Sequence, residues 1–161
     1  MMFKYLIKLR NKVSMLLGLA YKKTKWEPYI PADLSALRHF IDTYYLWQSE
    51  LVDHIQPVEH MNWQLKNKDV IEGDCDDFAT YTAYMLKRMG YKEIYRVNIP
   101  AHKHVICVFF GNINLNGVFG YTWCSNKRIG TMAHKTWQSA AEMWCILRGL
   151  SKDVQFIEER I

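Results

Sequence analysis

Apolar residues along this chain change period several times, and each change marks an element. In residues 1–25, Leu6, Leu9, Val13, Leu16, Leu17 and Ala20 fall on one face of a helix, with Lys4, Lys8 and Lys12 on another. Trp26 to Pro31, broken by Pro28 and Pro31, reads as a linker. Helical spacing returns from Ala32 to about Ile55 through Leu34, Leu37, Phe40, Ile41, Tyr44, Tyr45, Trp47 and Leu51; Asp33 can cap this helix and Pro57 ends it. Residues 58–72 read as a connection. A further helix is predicted from about Asp74 to Gly90, with Phe78, Thr82, Met85, Leu86 and Met89 in helical register.

Beyond Gly90 the pattern becomes that of strands. Lys92 to Ile99 is one, closed by Pro100. Val105 to Phe110 is a continuous apolar, β-branched run, as expected of a buried strand. Asn112 to Gly117 has the Asn and Gly content of a hairpin turn, and Val118 to Cys124 is the returning strand. Trp137 to Leu150 is predicted as a short helix and Val154 to Ile157 as a last strand. Helices first, then an antiparallel meander, make the fold class α+β. The division is a basic amphipathic helix at 1–25 and a single domain at 26–161.

Composition narrows the function classes. With 161 residues, 50% of them hydrophobic and 14% aromatic, the chain can bury a core of its own. No apolar run is long enough to span a bilayer. The net charge of +5 is modest, and residues 1–25 carry seven lysines and arginines and no acid. That segment suits a peripheral membrane or partner contact, or an ordinary helix packed on the domain. Gly18-Leu19-Ala20 resembles a signal-peptidase site, but the charges reach Lys12 and leave too short an apolar core before it. Basic and aromatic residues do not interleave on a strand or loop platform, so no nucleic acid is expected as a partner.

The four cysteines, at 75, 107, 124 and 145, form no CxxC pair and no zinc-like cluster with histidine. They point to a reducing, cytoplasmic setting, with Cys107, Cys124 and Cys145 as buried structural thiols. Cys75 differs. It follows Gly73-Asp74 at the start of a predicted helix, where free N–H groups and the macrodipole favour a thiolate. Asp74, Asp76 and Asp77 oppose that effect, so a thiolate there needs a cationic partner. His104, at the mouth of the buried strand, is the candidate base, and His102 competes with it. Antiparallel pairing puts the end of the returning strand, Ser125-Asn126, beside His104, where Asn126 can accept from the imidazole and fix its tautomer. His39, His54 and His60 have no acidic or cysteine residue at useful spacing and are read as surface or structural residues.

Gly-Asp-Cys-Asp-Asp-Phe-Ala, a helix ending in Lys-Arg-Met-Gly, His-Val-Ile-Cys-Val on a strand and an aromatic strand ending in Ser-Asn together resemble the transglutaminase-like superfamily. The closest resemblance is to its bacterial transglutaminase-like cysteine peptidases, which share the papain-type Cys-His-Asp/Asn arrangement. Trp63 also fits that pattern, and the resemblance covers roughly residues 58–130. It implies Cys75 as nucleophile and His104 as base, on a helix packed against an antiparallel sheet. It departs at the third position, where Ser125-Asn126 stands for the family's frequent Asp-Asn; Asn126 is then the expected third residue. The Cys75 backbone N–H, with Gln64 as one candidate second donor, would form the oxyanion hole.

The activity implied is acyl transfer through a Cys75 thioester on a protein or peptide substrate. Water as acceptor makes a cysteine peptidase or amidase; an amine makes a transglutaminase. No metal or organic cofactor is implied. The alternative of another class is a binding module that keeps the fold without catalysis.

Overall fold

The apolar run that begins at His104 becomes the central strand of the molecule. In the computed structural model, which describes residues 22–48, 55–113 and 117–161, strands run in the order β6-β5-β4-β3-β7, every neighbouring pair antiparallel. They are β3 (Ile94–Ile99), β4 (His104–Asn112), β5 (Phe119–Ser125), β6 (Arg128–Ile129) and β7 (Ile157–Arg160). The fold is α+β, as the sequence indicates. The basic segment 1–21 lies outside the described residues, as do His54 and the tip of the β4–β5 hairpin. Among the described residues no helix is long and apolar enough to cross a membrane.

β4 is apolar at nearly every position because both faces are covered. Ile106 and Val108 enter one hydrophobic cluster with Val97, Ile99 and Trp123. Cys107 and Phe109 enter the other with Ile94 and Cys124. A helix packs on each face. Helix α3 (Cys75–Arg88) contributes Phe78, Ala79, Met85 and Leu86 to the second cluster, and α4 (Trp137–Leu147) contributes Ala140, Ala141, Trp144 and Cys145 to the first. Helix α4 opens with a capping box between Thr136 and Ser139.

Three elements depart from the sequence expectation. The helix expected over 32–55 stops early: α1 spans Leu34–Tyr44, capped by Asp33, whose carboxylate accepts from the Ala36 N–H at 2.8 Å. Tyr45–Trp47 then forms strand β1, paired in parallel with β2 (Ile71–Gly73). The run Tyr44-Tyr45-Leu46-Trp47 fits either period, and pairing with β2 decides it. The connection expected over 58–72 contains helix α2 (Val58–Lys68), which starts after Pro57 and ends at Asp69 in the left-handed region. Its buried face includes Asn62 and Gln64, so no apolar period announces it. The last strand lies three residues later than expected, at the sheet edge, with all four residues exposed.

The β5–β6 hairpin turns on two residues, Asn126 and Lys127, with φ of 46° and 65°. Two positive φ values are the type I′ signature, which twists with the strands. Glycine is preferred at the second position, and a lysine there costs about 1 kcal/mol. This turn immediately follows Ser125.

Candidate active site

The first half of the site is the start of α3. Asp74 is the N-cap, in extended backbone, and its carboxylate accepts from the Asp76 N–H at 3.2 Å. The Asp76 carboxylate accepts from the Asp77 N–H at 2.8 Å. Of the first three N–H groups, which have no partner within the helix, two are thus satisfied, and the remaining one, on Cys75, points to its own sulfur. Gly73 is required just before: a Cβ there would lie 2.7 Å from Asp77 and from the Tyr45 hydroxyl. That hydroxyl donates to the Asp74 carbonyl at 2.9 Å.

Beneath the cysteine, Asp77 is fully buried. Its two oxygens accept from the Gln56 backbone N–H and from Gln56 Nε2, each at 2.7 Å. Burial pushes the Asp77 carboxyl up, and the Gln56 donors pull it back down. Asp76 is pushed up to about 8 by burial and by its hydrogen bond to Asp74. Asp76 therefore keeps its proton to far higher pH than an ordinary aspartate. The three carboxyl groups lie within 4.8 Å of one another, near enough to share a cation. With Asp77 bracketed by Gln56 and Asp74 and Asp76 each accepting a backbone N–H, they form a hydrogen-bonded helix start.

The second half is built from the sheet and α4. His104 opens β4, and Nε2 lies 2.8 Å from Ser125 Oγ. Its ring stacks on Trp144 of α4, with centroids 4.7 Å apart and planes within 6°. The Arg148 guanidinium approaches the Trp144 ring as well. Burial lowers the His104 pKa to about 4, and the Arg148 charge adds to that effect. Sequence reading does not find Trp144, because a helix residue forty positions downstream and a strand residue meet only in the fold.

The halves meet at Val105, the residue after His104. Its backbone N–H reaches the Cys75 sulfur and favours the thiolate. Burial outweighs that donor, Asp74 and Asp76 add to it, and the thiol is raised above its ordinary value. Cys75 is half-buried; among the described residues no hydrogen bond joins its sulfur to His104. The resting pair at neutral pH is thus a thiol and a neutral imidazole. The thiolate and imidazolium pair expected from the helix start is not the resting state, because both groups are desolvated and desolvation disfavours both charges.

Two other expectations are corrected by geometry. The side chain on His104 is that of Ser125, not Asn126: Ser125 is the last strand residue, and the left-handed turn carries Asn126 away. Gln64 is neither exposed nor available to an oxyanion: its Nε2 donates to Gln56 Oε1 and its Oε1 accepts from the Glu72 N–H. His102 sits on a short 3-10 turn, within 2.9 Å of the Ser151 carbonyl. Cys107, Cys124 and Cys145 are free and buried, with thiols raised by desolvation.

The chain matches no protein-family model, and no curated protein or solved structure was found to be similar to it.

Proposed function

We propose that the protein is a thiol acyl-transfer enzyme, a cysteine peptidase or amidase with a transglutaminase-like or papain-like core, in which Cys75 is the nucleophile, His104 the base and Ser125 the residue that orients the base. One observation carries the reading. A helix-start cysteine, with its own N–H left unclaimed by the cap, stands against the first residues of the strand that presents a Ser125-bonded histidine.

The chemistry follows from the protonation states. Nε2–H donates to Ser125 Oγ, which leaves Nδ1 unprotonated and able to accept. As Cys75 Sγ attacks an amide carbonyl carbon, its proton passes to His104 Nδ1. The carbonyl oxygen gains charge beside the Cys75 N–H at the positive end of the helix. His104 gives its proton to the amine nitrogen as the C–N bond breaks, and a Cys75 thioester remains. Water, deprotonated by His104, attacks that carbon; the acid leaves and the thiol recovers its proton. A neutral histidine with a lowered pKa suits a base better than a standing imidazolium.

The test is a peptidyl electrophile carrying an acyloxymethyl ketone. It should label Cys75 alone, and His104→Ala should slow labelling about 10²–10⁴-fold. Equal rates in both proteins would remove the catalytic reading. A second reading, a binding module that keeps the fold, draws on Ser125: a hydroxyl supplies no anion to stabilise an imidazolium. Equal rates would support it.

A further inference from the structure

The helix that carries Cys75 and the turn that follows Ser125 join strand β1 in lining one cavity of about 210 Å³, bounded by Tyr45, Trp47, Phe78, Asn126 and Lys127. Phe78 is one helical turn beyond Cys75, on the same side of α3. Tyr45 is tied to the Asp74 carbonyl. Asn126 follows Ser125 directly. We propose that this cavity seats a large aliphatic or aromatic side chain of the peptide whose amide meets Cys75. The inference rests on the acyl-transfer reading and names the substrate class it takes.

Three features define the occupant. The walls are three aromatic rings, and Trp47 is 56% exposed, a large apolar surface left open beside the site. The volume is below the roughly 300 Å³ at which pockets begin to hold whole small ligands, and it suits a single side chain. Lys127 stands at the edge, so a cationic side chain is repelled where the rings alone would attract one. The remaining polar group gives the orientation. Asn126 Oδ1 is buried and has no hydrogen-bond partner among the described residues. A buried acceptor is normally satisfied, and a substrate backbone N–H, which every peptide supplies, satisfies it here. Asn126 is thereby a specificity residue, distinct from the Ser125 that holds the base.

The test uses matched hexapeptides that differ at one position, bearing Leu, Phe, Ala or Lys. With the Cys75→Ser protein, binding is followed by the indole N–H signal of Trp47 in two-dimensional NMR. Leu and Phe peptides should bind at least tenfold more tightly than Ala, with Lys weakest. Trp47→Ala, followed instead by isothermal calorimetry, should shrink the Leu-over-Ala ratio about tenfold. Asn126→Ala should weaken Leu and Ala peptides alike, since its oxygen meets backbone. Equal binding of all four peptides, or a ratio untouched in Trp47→Ala, overturns the inference. Turnover by the wild-type protein is scored separately. Selective binding without His104-dependent cleavage supports the pocket and removes the enzyme; cleavage without selectivity does the reverse.

Discussion

Cys75 and His104 belong to different layers of the molecule, and the layers hold them by different means. The cysteine half is polar: Asp74, Asp76 and Asp77 cap the helix, Gln56 brackets a fully buried carboxylate, and Tyr45 ties the backbone. The histidine half is apolar: an indole face, a hydroxyl and, among the described residues, no carboxylate hydrogen-bonded to the ring. The first half adds negative charge around a group that must lose a proton. The second half desolvates a group that must gain one. Burial raises the thiol and lowers the imidazole, and it outweighs the Val105 N–H at the sulfur and the Asp74 charge near the histidine, so both halves keep the pair neutral at rest. A thiol enzyme so arranged relies on proton transfer during attack and not on a preformed ion pair.

That contrast predicts where each half breaks. Removing the ring under His104 should be the costliest single change: Trp144→Ala leaves a cavity in the α4 cluster and should lower stability by about 3–5 kcal/mol in urea unfolding. Asp77→Ala removes both hydrogen bonds that Gln56 makes to the carboxylate, although Gln56 Nε2 still donates to the Glu72 carbonyl, and should cost about 1–3 kcal/mol. If the order were reversed, the polar half would be the main anchor of the site. Ser125→Ala keeps the stack and loses the orienting hydroxyl. Peptidyl-electrophile labelling of Cys75 should fall about tenfold, roughly 1.4 kcal/mol of transition-state stabilisation. Asn126→Ala should leave the Ser125–His104 hydrogen bond in place; a collapse of small-reagent labelling in that variant, with Ser125→Ala unaffected, would return the orienting role to Asn126.

The carboxyl cluster has a pH signature of its own. An unfolded aspartate titrates near 3.9, whereas folded Asp76 titrates at about 8. Between those values the folded state keeps a proton that the unfolded state has released. Stability from this group is therefore complete below about pH 4 and is lost as pH rises through 8. Asp76→Asn keeps the oxygen that accepts from the Asp77 N–H and removes the titration. It should flatten the fall in melting temperature between pH 4 and 8, and stabilise the protein at pH 8 by about 1–2 kcal/mol. The smallest effect belongs to Arg148, which is exposed: Arg148→Met should raise the His104 pKa slightly, seen in the histidine NMR titration.

How far the sequence was legible follows the same division. The helix start was readable because its causes are local: a glycine with no room for a Cβ, an aspartate N-cap and an apolar period behind them. The neighbourhood of His104 and residue 125 was readable from one hairpin, since the register sets Cys107 opposite Cys124. Which of two adjacent side chains faces the histidine depended on the left-handed turn, and the Asn-Lys pair does not announce a type I′ hairpin as Asn-Gly would. Helix α2 was hidden by Asn62 and Gln64, whose burial is offset by hydrogen bonds to Tyr81 and Tyr84, and to Gln56 and Glu72. Strand β1 was hidden because its partner is β2, some 26 residues on in the chain.

The central claim is that His104 serves the Cys75 thiol as a neutral base. The direct measurement is the rate of Cys75 alkylation by iodoacetamide against pH, in the intact protein and in His104→Ala, with folding checked by circular dichroism at each pH. The apparent pKa values belong to the pair. With the base in place, labelling should persist well below pH 8.5 and fall only as His104 becomes protonated, towards about 4. Without it, labelling needs the free thiolate, which burial and the aspartates disfavour, and the profile should move to alkaline pH beyond the ordinary thiol range. Cys107, Cys124 and Cys145 should stay slow in both proteins. Two superimposable profiles would show that His104 does not serve the thiol, and the account of a paired site would be contradicted.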